Sequence, residues 1–541
     1  MNDSELHELA LDFEIKIIQS FSQLDFDNQH FAIHQLLQER FRALTDIEQT
    51  YIRSHLRQVD WPRDHLLALY LCLYDILEEG DYLSLAVNCL HASTRLSTFS
   101  EALWSISKRC FYTSGSPSFS SATEHLRTLF GKFSRSQQRS LVSRFKKPNY
   151  QVAPKHIALI TPQLLTMRHS PTREAYNIAL HLRQLFDCQV MIINTNGMSY
   201  SKEFGAGSIV SNSRKDWPVN TIHRERVSYL QFYDETVNIV NLPATPLTTA
   251  KLIDFLSILE QLQVDSVIAH GENTFFQELV FGLYPSVFCT TGSALPFARS
   301  DAYFVPGTEF NEHVQANAKR WGHAGKFVSG SMFFTPEGVS DRSHPRASFG
   351  LNKQHFVYLV VGQRLAVELD EEFVAVCHSL LELSPDNVIC FAGSPDLELS
   401  QWFGEQSRCI NIGFQNDLAA ICQMSDVYLN PKRQGGGTSS QTALVNGLPV
   451  VTLDYGHISS VVPEQYRFKD WDDYLCFAER LGTDRAFYQA EAQSFQSHLQ
   501  TALGIEPQIR AVYAELSKAC QKYFDRAAAE AQAIAETTLS V

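Results

Sequence analysis

Apolar side chains recur at helical spacing over residues 4–142, as in Leu6, Leu9, Phe13, Ile17, Ile18 and Phe21 and again in Leu66, Leu67, Leu69, Tyr70, Leu73, Tyr74 and Ile76. Spacings of three and four put such residues on one helix face, so the pattern predicts an all-helical N-terminal domain over 1–148. A polar break at 112–121 separates helices, and a second at 146–155 has the composition of a linker. From His156 the period changes: short runs such as HIALIT, QVMIIN, VNIVNL, VDSVIAH and PSVFCT alternate with helical stretches at 176–185, 252–262 and 274–283. The alternation resumes after a Pro- and Gly-containing stretch near 335–350, with HFVYLVV, NVICFAG, RCINIG, DVYLN and PVVTLD as strands, and residues 507–537 read as an Ala-rich helix. Strands joined through helices form parallel sheets, which predicts an α/β chain with two Rossmann-like domains, 155–335 and 350–505, and a helical segment over 506–541. Two consecutive units of this kind imply a cleft between them, with ligands at the C-terminal ends of the strands.

The 541 residues correspond to roughly three domains of ordinary size, each expected to bury its own core. Hydrophobic residues at 44% and charged residues at 19% are a globular balance and exclude wholesale disorder. Lys and Arg number 45 against 59 Asp and Glu, and the formal charge of -14 repels a phosphate backbone, which argues against nucleic-acid binding. The acidic start MNDSELHELALDFE has no secretory signature, and runs such as 356–361 fall far short of the ~20 apolar residues that cross a bilayer. The 11 cysteines are scattered without a CxxC pair, as reduced thiols are, so a cytoplasmic location is expected.

The strongest chemical signal lies in residues 426–456. A buried strand (Val427, Tyr428, Leu429) runs into Gly435, Gly436 and Gly437; a helix then begins near Thr438 and stops at Gly447, and Pro449 leads the next strand. Backbone N–H groups at Gly436, Gly437, Thr438, Ser439 and Ser440, with the positive end of the helix dipole, suit a diphosphate; a capped helix behind a flexible turn would use the same residues. Neither a Walker A motif nor GxGxxG is present, so the common ATPase and dinucleotide fingerprints do not apply.

This run resembles the nucleotide-sugar segment of the O-GlcNAc transferases and of the bacterial cytoplasmic N-glucosyltransferases that modify adhesins: Asn430-Pro431, Gly437-Thr438-Ser439, Ala443-Leu444 and GLPVVTL at 447–453 stand in that order. Residues 265–287, Gly292 and the strand at 301–305 resemble the first Rossmann-like half of the same family. The resemblance implies a GT-B glycosyltransferase with an acceptor-side domain at 155–335, a nucleotide-sugar domain at 350–505 and an N-terminal helical domain shaping the acceptor groove. It also implies a UDP-sugar donor, UDP-glucose in the N-glucosyltransferase branch, with no separate cofactor, and a polypeptide Asn or Ser/Thr side chain as acceptor. The paired glutamates of the commonest retaining GT-B enzymes correspond to Gln434 and Thr442, which favours inversion. The diphosphate Lys of the O-GlcNAc transferases corresponds to a stretch, 361–373, that offers Arg364 instead, with Lys432 as the alternative.

On this resemblance Arg364, Lys432, Gln434 and the N–H groups at 436–440 stabilise the leaving diphosphate without a metal; no Asp-x-Asp motif is present, and Asp472-Asp473 is a plain pair. Arg364 can instead pair with Glu368 at i, i+4, and Lys432 with Arg433 can lie on a solvated loop. Asn430 ends the strand before the glycines; Phe414 and Gln415 are the candidates for holding the base, Phe414 being otherwise a core residue; Asp454 with Tyr455 is placed to reach the ribose or sugar. His169, in a stretch similar to the His-Ser acceptor loop of the N-glucosyltransferases, and His270, closing its strand, are candidates for orienting the acceptor or moving a proton. Glu272 is a rival base, or an N-cap carboxylate. The fold also serves transferases acting on glycan or lipid-linked acceptors, nucleotide-sugar epimerases and catalytically silent partners of glycosyltransferases, and the sequence leaves the sugar and the oligomeric state open.

Overall fold

The computed structural model describes residues 3–22, 28–63, 65–91, 94–112, 117–165, 169–197, 226–232, 234–271, 275–291, 295–306, 316, 318–323, 325–330, 333–334, 346–394, 397–405, 407–433, 435–502 and 505–539. Glu272 and Gln434 lie outside them.

The N-terminal region consists of α1 (Asp3–Ser22), α2 (Asn28–Arg42), α3 (Asp46–Gln58), α4 (Leu66–Leu77), α5 (Gly80–Asn88), α6 (Leu96–Tyr112) and α7 (Pro117–Leu141). Thr45 and Glu48 form a reciprocal capping box that starts α3. α4 is apolar nearly all round and buries Leu69, Leu71, Cys72, Leu73, Ile76 and Leu77, as a central helix must. These helices do not enclose a core of their own, contrary to what chain length suggested. Their apolar cluster runs on into the first sheet and its helices through Ile160, Ala269, Phe275 and Phe288. Phe99 of α6 and Phe130 of α7 meet Phe275 at 5.7 and 5.0 Å between ring centroids. The physical reason is that a parallel sheet is apolar on both faces, and α6 and α7 help to cover one of them.

The first sheet contains β1 (His156–Thr161), β2 (Gln189–Asn194), β3 (Val227–Phe232), β4 (Glu235–Asn241), β5 (Ser266–Gly271), β6 (Ser286–Thr290), β7 (Ala302–Pro306) and β8 (Lys326–Gly330). Their spatial order is β3-β4-β2-β1-β5-β6-β7-β8, with β3 antiparallel to β4 and the rest parallel. The hydrophobic pattern did not predict β3, an edge strand with Val227 and Tyr229 exposed. Helix α8 (Ser170–Phe186) carries the chain from β1 to β2.

The second sheet contains β9 (Phe356–Val361), β10 (Asn387–Ala392), β11 (Cys409–Gly413), β12 (Val427–Leu429), β13 (Val450–Leu453) and β14 (Arg467–Phe468), in the order β11-β10-β9-β12-β13-β14 and wholly parallel. The final helix, Ile505–Leu539, returns to the first sheet, where Ile509, Val512 and Leu516 join its core. Among the described residues no helix is long and apolar enough to cross a membrane. Strand order reverses between β1 and β5 in one sheet and between β9 and β12 in the other. Ligands of doubly wound sheets bind at such reversals, outside the carboxyl ends of the strands.

Candidate functional site

All four of these strand ends carry candidate residues. β12 is buried throughout and ends at Asn430, whose Nδ2 donates to the Pro431 carbonyl (2.9 Å) and to Thr452 Oγ1 (3.3 Å). Asn430 Oδ1 accepts from Arg433 Nε at 2.9 Å. Arg433 is buried and also donates to Glu368 Oε2 (2.8 Å), to the Val361 carbonyl ending β9 (2.7 Å) and to Tyr428 Oη (3.1 Å). The sequence offered Arg433 only as part of a solvated loop; it is instead the strut beneath the glycine loop. Gly436 has φ +93°, and a Cβ there would lie 2.6 Å from Asn430 Oδ1 and 3.0 Å from Arg433 Nε. Only glycine fits at that position.

The glycine helix spans Gly437–Val445, one residue earlier than the pattern placed its start, and Gly436 offers it no side-chain cap. Ser440 N–H already binds the Gly436 carbonyl, while Ser439 and Ser440 turn their hydroxyls onto the Gly436 and Gly437 carbonyls at 3.1 and 2.8 Å. The N–H groups of the first turn before Ser440 are those a helix leaves for a ligand. Arg364, after β9, lies over this loop: a Cβ at Gly435 would sit 3.2 Å from its Nη2. Arg364 also makes the i, i+4 pair that its sequence allowed, with Nη2 2.6 Å from Glu368 Oε1. Burial pushes the Glu368 carboxyl up, but Arg433 and Arg364 outweigh burial and hold it below the ordinary carboxylate range.

The other donor-side candidates stand further out. Phe414 is exposed rather than core, and Gln415 donates to the Ile412 carbonyl of its own strand. Both follow β11, two strands from β9. Lys432 is exposed, and Asp454 lies exposed after β13, 3.8 Å from Arg467 Nη1.

On the facing half, His169 is the N-cap residue of α8. Leu165 N–H donates to Thr172 Oγ1 at 2.8 Å, and Thr172 Oγ1 is 3.0 Å from His169 Nδ1. Thr172 Oγ1 can donate to His169 Nδ1 or, having a second lone pair, accept from Nδ1–H, so this contact allows either tautomer. Burial, the Lys108 charge and His270 pull His169 down to about 3, so its ring is neutral at physiological pH. Lys108 belongs to α6, so the helical region reaches this end of the sheet. His270 ends β5 in full burial, its Nε2 3.1 Å from Glu174 Oε2 of α8. Ser170 Oγ donates to Thr438 Oγ1 at 3.1 Å. That bond joins the N-termini of α8 and the glycine helix, one from each sheet.

The structure therefore brings together Arg364, Asn430, Gly436 and the Gly437–Thr438–Ser439 turn from one half with His169 and Ser170 from the other. Sequence reasoning gave no role to Ser170, Glu174 or Arg433, and read Glu368 only as the i, i+4 partner of Arg364. Ser170, beside His169, and Glu368, four residues after Arg364, carried a local signal; the partners that matter for Glu174 and Arg433, His270 and Glu368, lie 96 and 65 residues away.

No family model and no curated protein matches the sequence. The structure, by contrast, aligns with a mutant of the Thermobaculum terrenum O-GlcNAc transferase over 96% of this chain and 97% of that one, with a TM-score of 0.56 at 14% identity. The fold is GT-B. A putative UDP-N-acetylglucosamine 2-epimerase from Listeria monocytogenes aligns with a TM-score of 0.42 at 13% identity, over 69% of this chain and 97% of its own. The S. aureus MnaA–UDP co-structure aligns with a TM-score of 0.37 at 12% identity, over 63% of this chain and 91% of its own.

Proposed function

We propose that this GT-B protein is an inverting, metal-independent glycosyltransferase that moves a hexose from a UDP-sugar to an acceptor, a polypeptide Asn or Ser/Thr side chain. The observation that carries this reading is the uncapped N-terminus of the glycine helix at a strand-order reversal, with Arg364 lying over Gly435. Negative charge grows on the diphosphate as its bond to the sugar breaks, so preorganised N–H donors and a guanidinium stabilise the transition state more than the ground state. Arg364 would exchange Glu368 for phosphate oxygens, and Arg433, already bound to Asn430, Glu368, Val361 and Tyr428, would keep the loop in place. The solved O-GlcNAc transferase that shares the fold supports sugar transfer as the reaction class. The polypeptide acceptor rests on the family resemblance of the sequence; the cavity of about 40 Å³ that Ser100, Trp104 and Ser107 of α6 line with Pro162, Gly197 and Lys251 is too small for a peptide side chain.

Calorimetric titration with UDP, GDP, CDP and ADP, with and without EDTA, tests the donor site. Binding selective for UDP and indifferent to EDTA is expected; no response to any nucleotide would sink the proposal. Transfer to asparagine-, serine- and threonine-containing peptides then tests the acceptor, and proton NMR of the product is expected to show the inverted anomer.

A further inference from the structure

Glu174, buried against the proton-transfer candidate His270, has no role assigned above. Glu174 lies in the second turn of α8 and His270 at the end of β5, so the strand-order reversal of the first sheet brings them together. Both side chains are excluded from solvent, at 2% and 0% exposure, and the Glu174 Oε2 to His270 Nε2 contact of 3.1 Å is direct. Among the described residues, Glu174 Oε1 and His270 Nδ1 are buried polar atoms without a hydrogen-bond partner. A purely structural pair would satisfy its polar atoms, because each buried unpaired group costs about 1–3 kcal/mol.

We infer that Glu174 is a positioning residue for proton transfer: its Oε2 holds the proton of His270 on Nε2, leaves the Nδ1 lone pair free, and stabilises the imidazolium formed when Nδ1 takes the acceptor's proton. The inference rests on the glycosyltransferase reading. In the step, the acceptor's O–H or N–H bond breaks and its heavy atom bonds to the anomeric carbon. The bond from that carbon to the diphosphate oxygen breaks, and its electron pair leaves on UDP. The proton passes to His270 Nδ1, and because that nitrogen is solvent-excluded in the free protein, the step requires acceptor binding to open the ring to it. His169 is unsuited to that task, being held to about 3 by burial, Lys108 and His270. The titratable groups facing the pair are His169 at the start of α8, with Lys108 of α6 beyond it, and Cys289 of β6, opposite His270 in the sheet. Burial and Glu174 push the Cys289 thiol up, so it stays protonated.

The test is Glu174→Gln, which keeps the size and removes the charge, with Glu174→Asp as the variant that restores it. In Glu174→Gln, kcat is expected to fall about 10–100-fold with UDP affinity unchanged within twofold. Loss of the carboxylate removes the charge that favours the imidazolium, so the acid limb of kcat/KM moves to lower pH; Glu174→Asp returns it toward wild type. An unchanged kcat and acid limb would overturn the role of Glu174. Nitrogen-15 spectra of histidine-labelled wild-type protein give a readout independent of turnover. The Nε2–H tautomer is expected for His270, and the Nδ1–H tautomer would overturn the inference even if Glu174→Gln failed to fold. A wild-type protein that binds no UDP would defeat the functional reading instead, while these spectra still decide whether Glu174 holds His270.

Discussion

Arg433 shows how a single side chain sets the geometry of a loop. Its guanidinium joins Asn430, Glu368, the Val361 carbonyl and Tyr428, so both switch-point strands of the second sheet are tied to one cation. Replacing it with Met leaves Glu368 buried beside Arg364 alone. The expected loss, measured by urea unfolding, is about 3–5 kcal/mol. Arg364→Ala removes a cation that is more exposed and has the loop beneath it. Stability is expected to change little, while UDP affinity falls at least about tenfold, or ~1.4 kcal/mol, in calorimetry. Gly436→Ala forces a side chain into left-handed backbone and against Asn430 Oδ1. About 1–3 kcal/mol of strain is expected, with loss of UDP binding as the loop shifts. Of these residues Gly436 was legible locally, because a glycine before a helix start is a backbone signal. Arg433 was not, since Lys432 beside it is exposed and the sequence does not distinguish the two cations.

At the scale of elements, α7 and the first sheet are joined by Arg127. It donates to the Leu295 and Pro296 carbonyls and to His323 Nε2, and stacks on the Trp321 ring with its guanidinium carbon 4.1 Å from the centroid. Tyr303 Oη lies 2.8 Å from the other ring nitrogen of His323. Burial and Arg127 pull His323 from 6.5 down to about 3, so in the folded protein it stays neutral. Its folded pKa lies below the unfolded value, so its contribution to stability is present above pH 6.5 and lost as pH falls toward 3. The expected slope is about 1.4 kcal/mol per pH unit from this residue. Urea unfolding at several pH values should show His323→Asn with a shallower acid loss than wild type. The joint was invisible in the sequence, because Arg127 and His323 are separated by most of the first sheet and nothing local marks either one.

At the scale of the molecule, the chain crosses from the first sheet to the second and then comes back. The returning helix Ile505–Leu539 buries Ile509, Val512 and Leu516 against the first sheet and adds the pairs Lys326–Glu515 and Lys522–Asp301. The three apolar side chains alone are worth roughly 5–9 kcal/mol, comparable with the whole stability of a domain. Truncation after Ala502 is therefore expected to give insoluble or molten protein, read by near-ultraviolet circular dichroism, even though it removes no candidate site residue. Ligand binding acts at the same scale. UDP at about 100 times its Kd should raise unfolding free energy by about 2.7 kcal/mol, and thermal shift with and without Arg364→Ala measures how much of that flows through the site.

Periodicity alone determined the α/β architecture, the helical leader and the glycine helix, because strand and helix spacing are local consequences of backbone geometry. The strands buried on both faces were the easiest to read, since they appear as unbroken apolar runs such as FVYLVV. The shared core of α1 to α7, the edge strand β3 and the return of the last helix were decided only by tertiary structure, because each depends on which surfaces remain uncovered after the sheets form. The same holds at the site. The glycine loop is local, so its residues could be named from sequence. The hold of Arg433 on Glu368, of Glu174 on His270 and of Ser170 on Thr438 spans 65, 96 and 268 residues, and only folding places such groups within hydrogen-bonding distance.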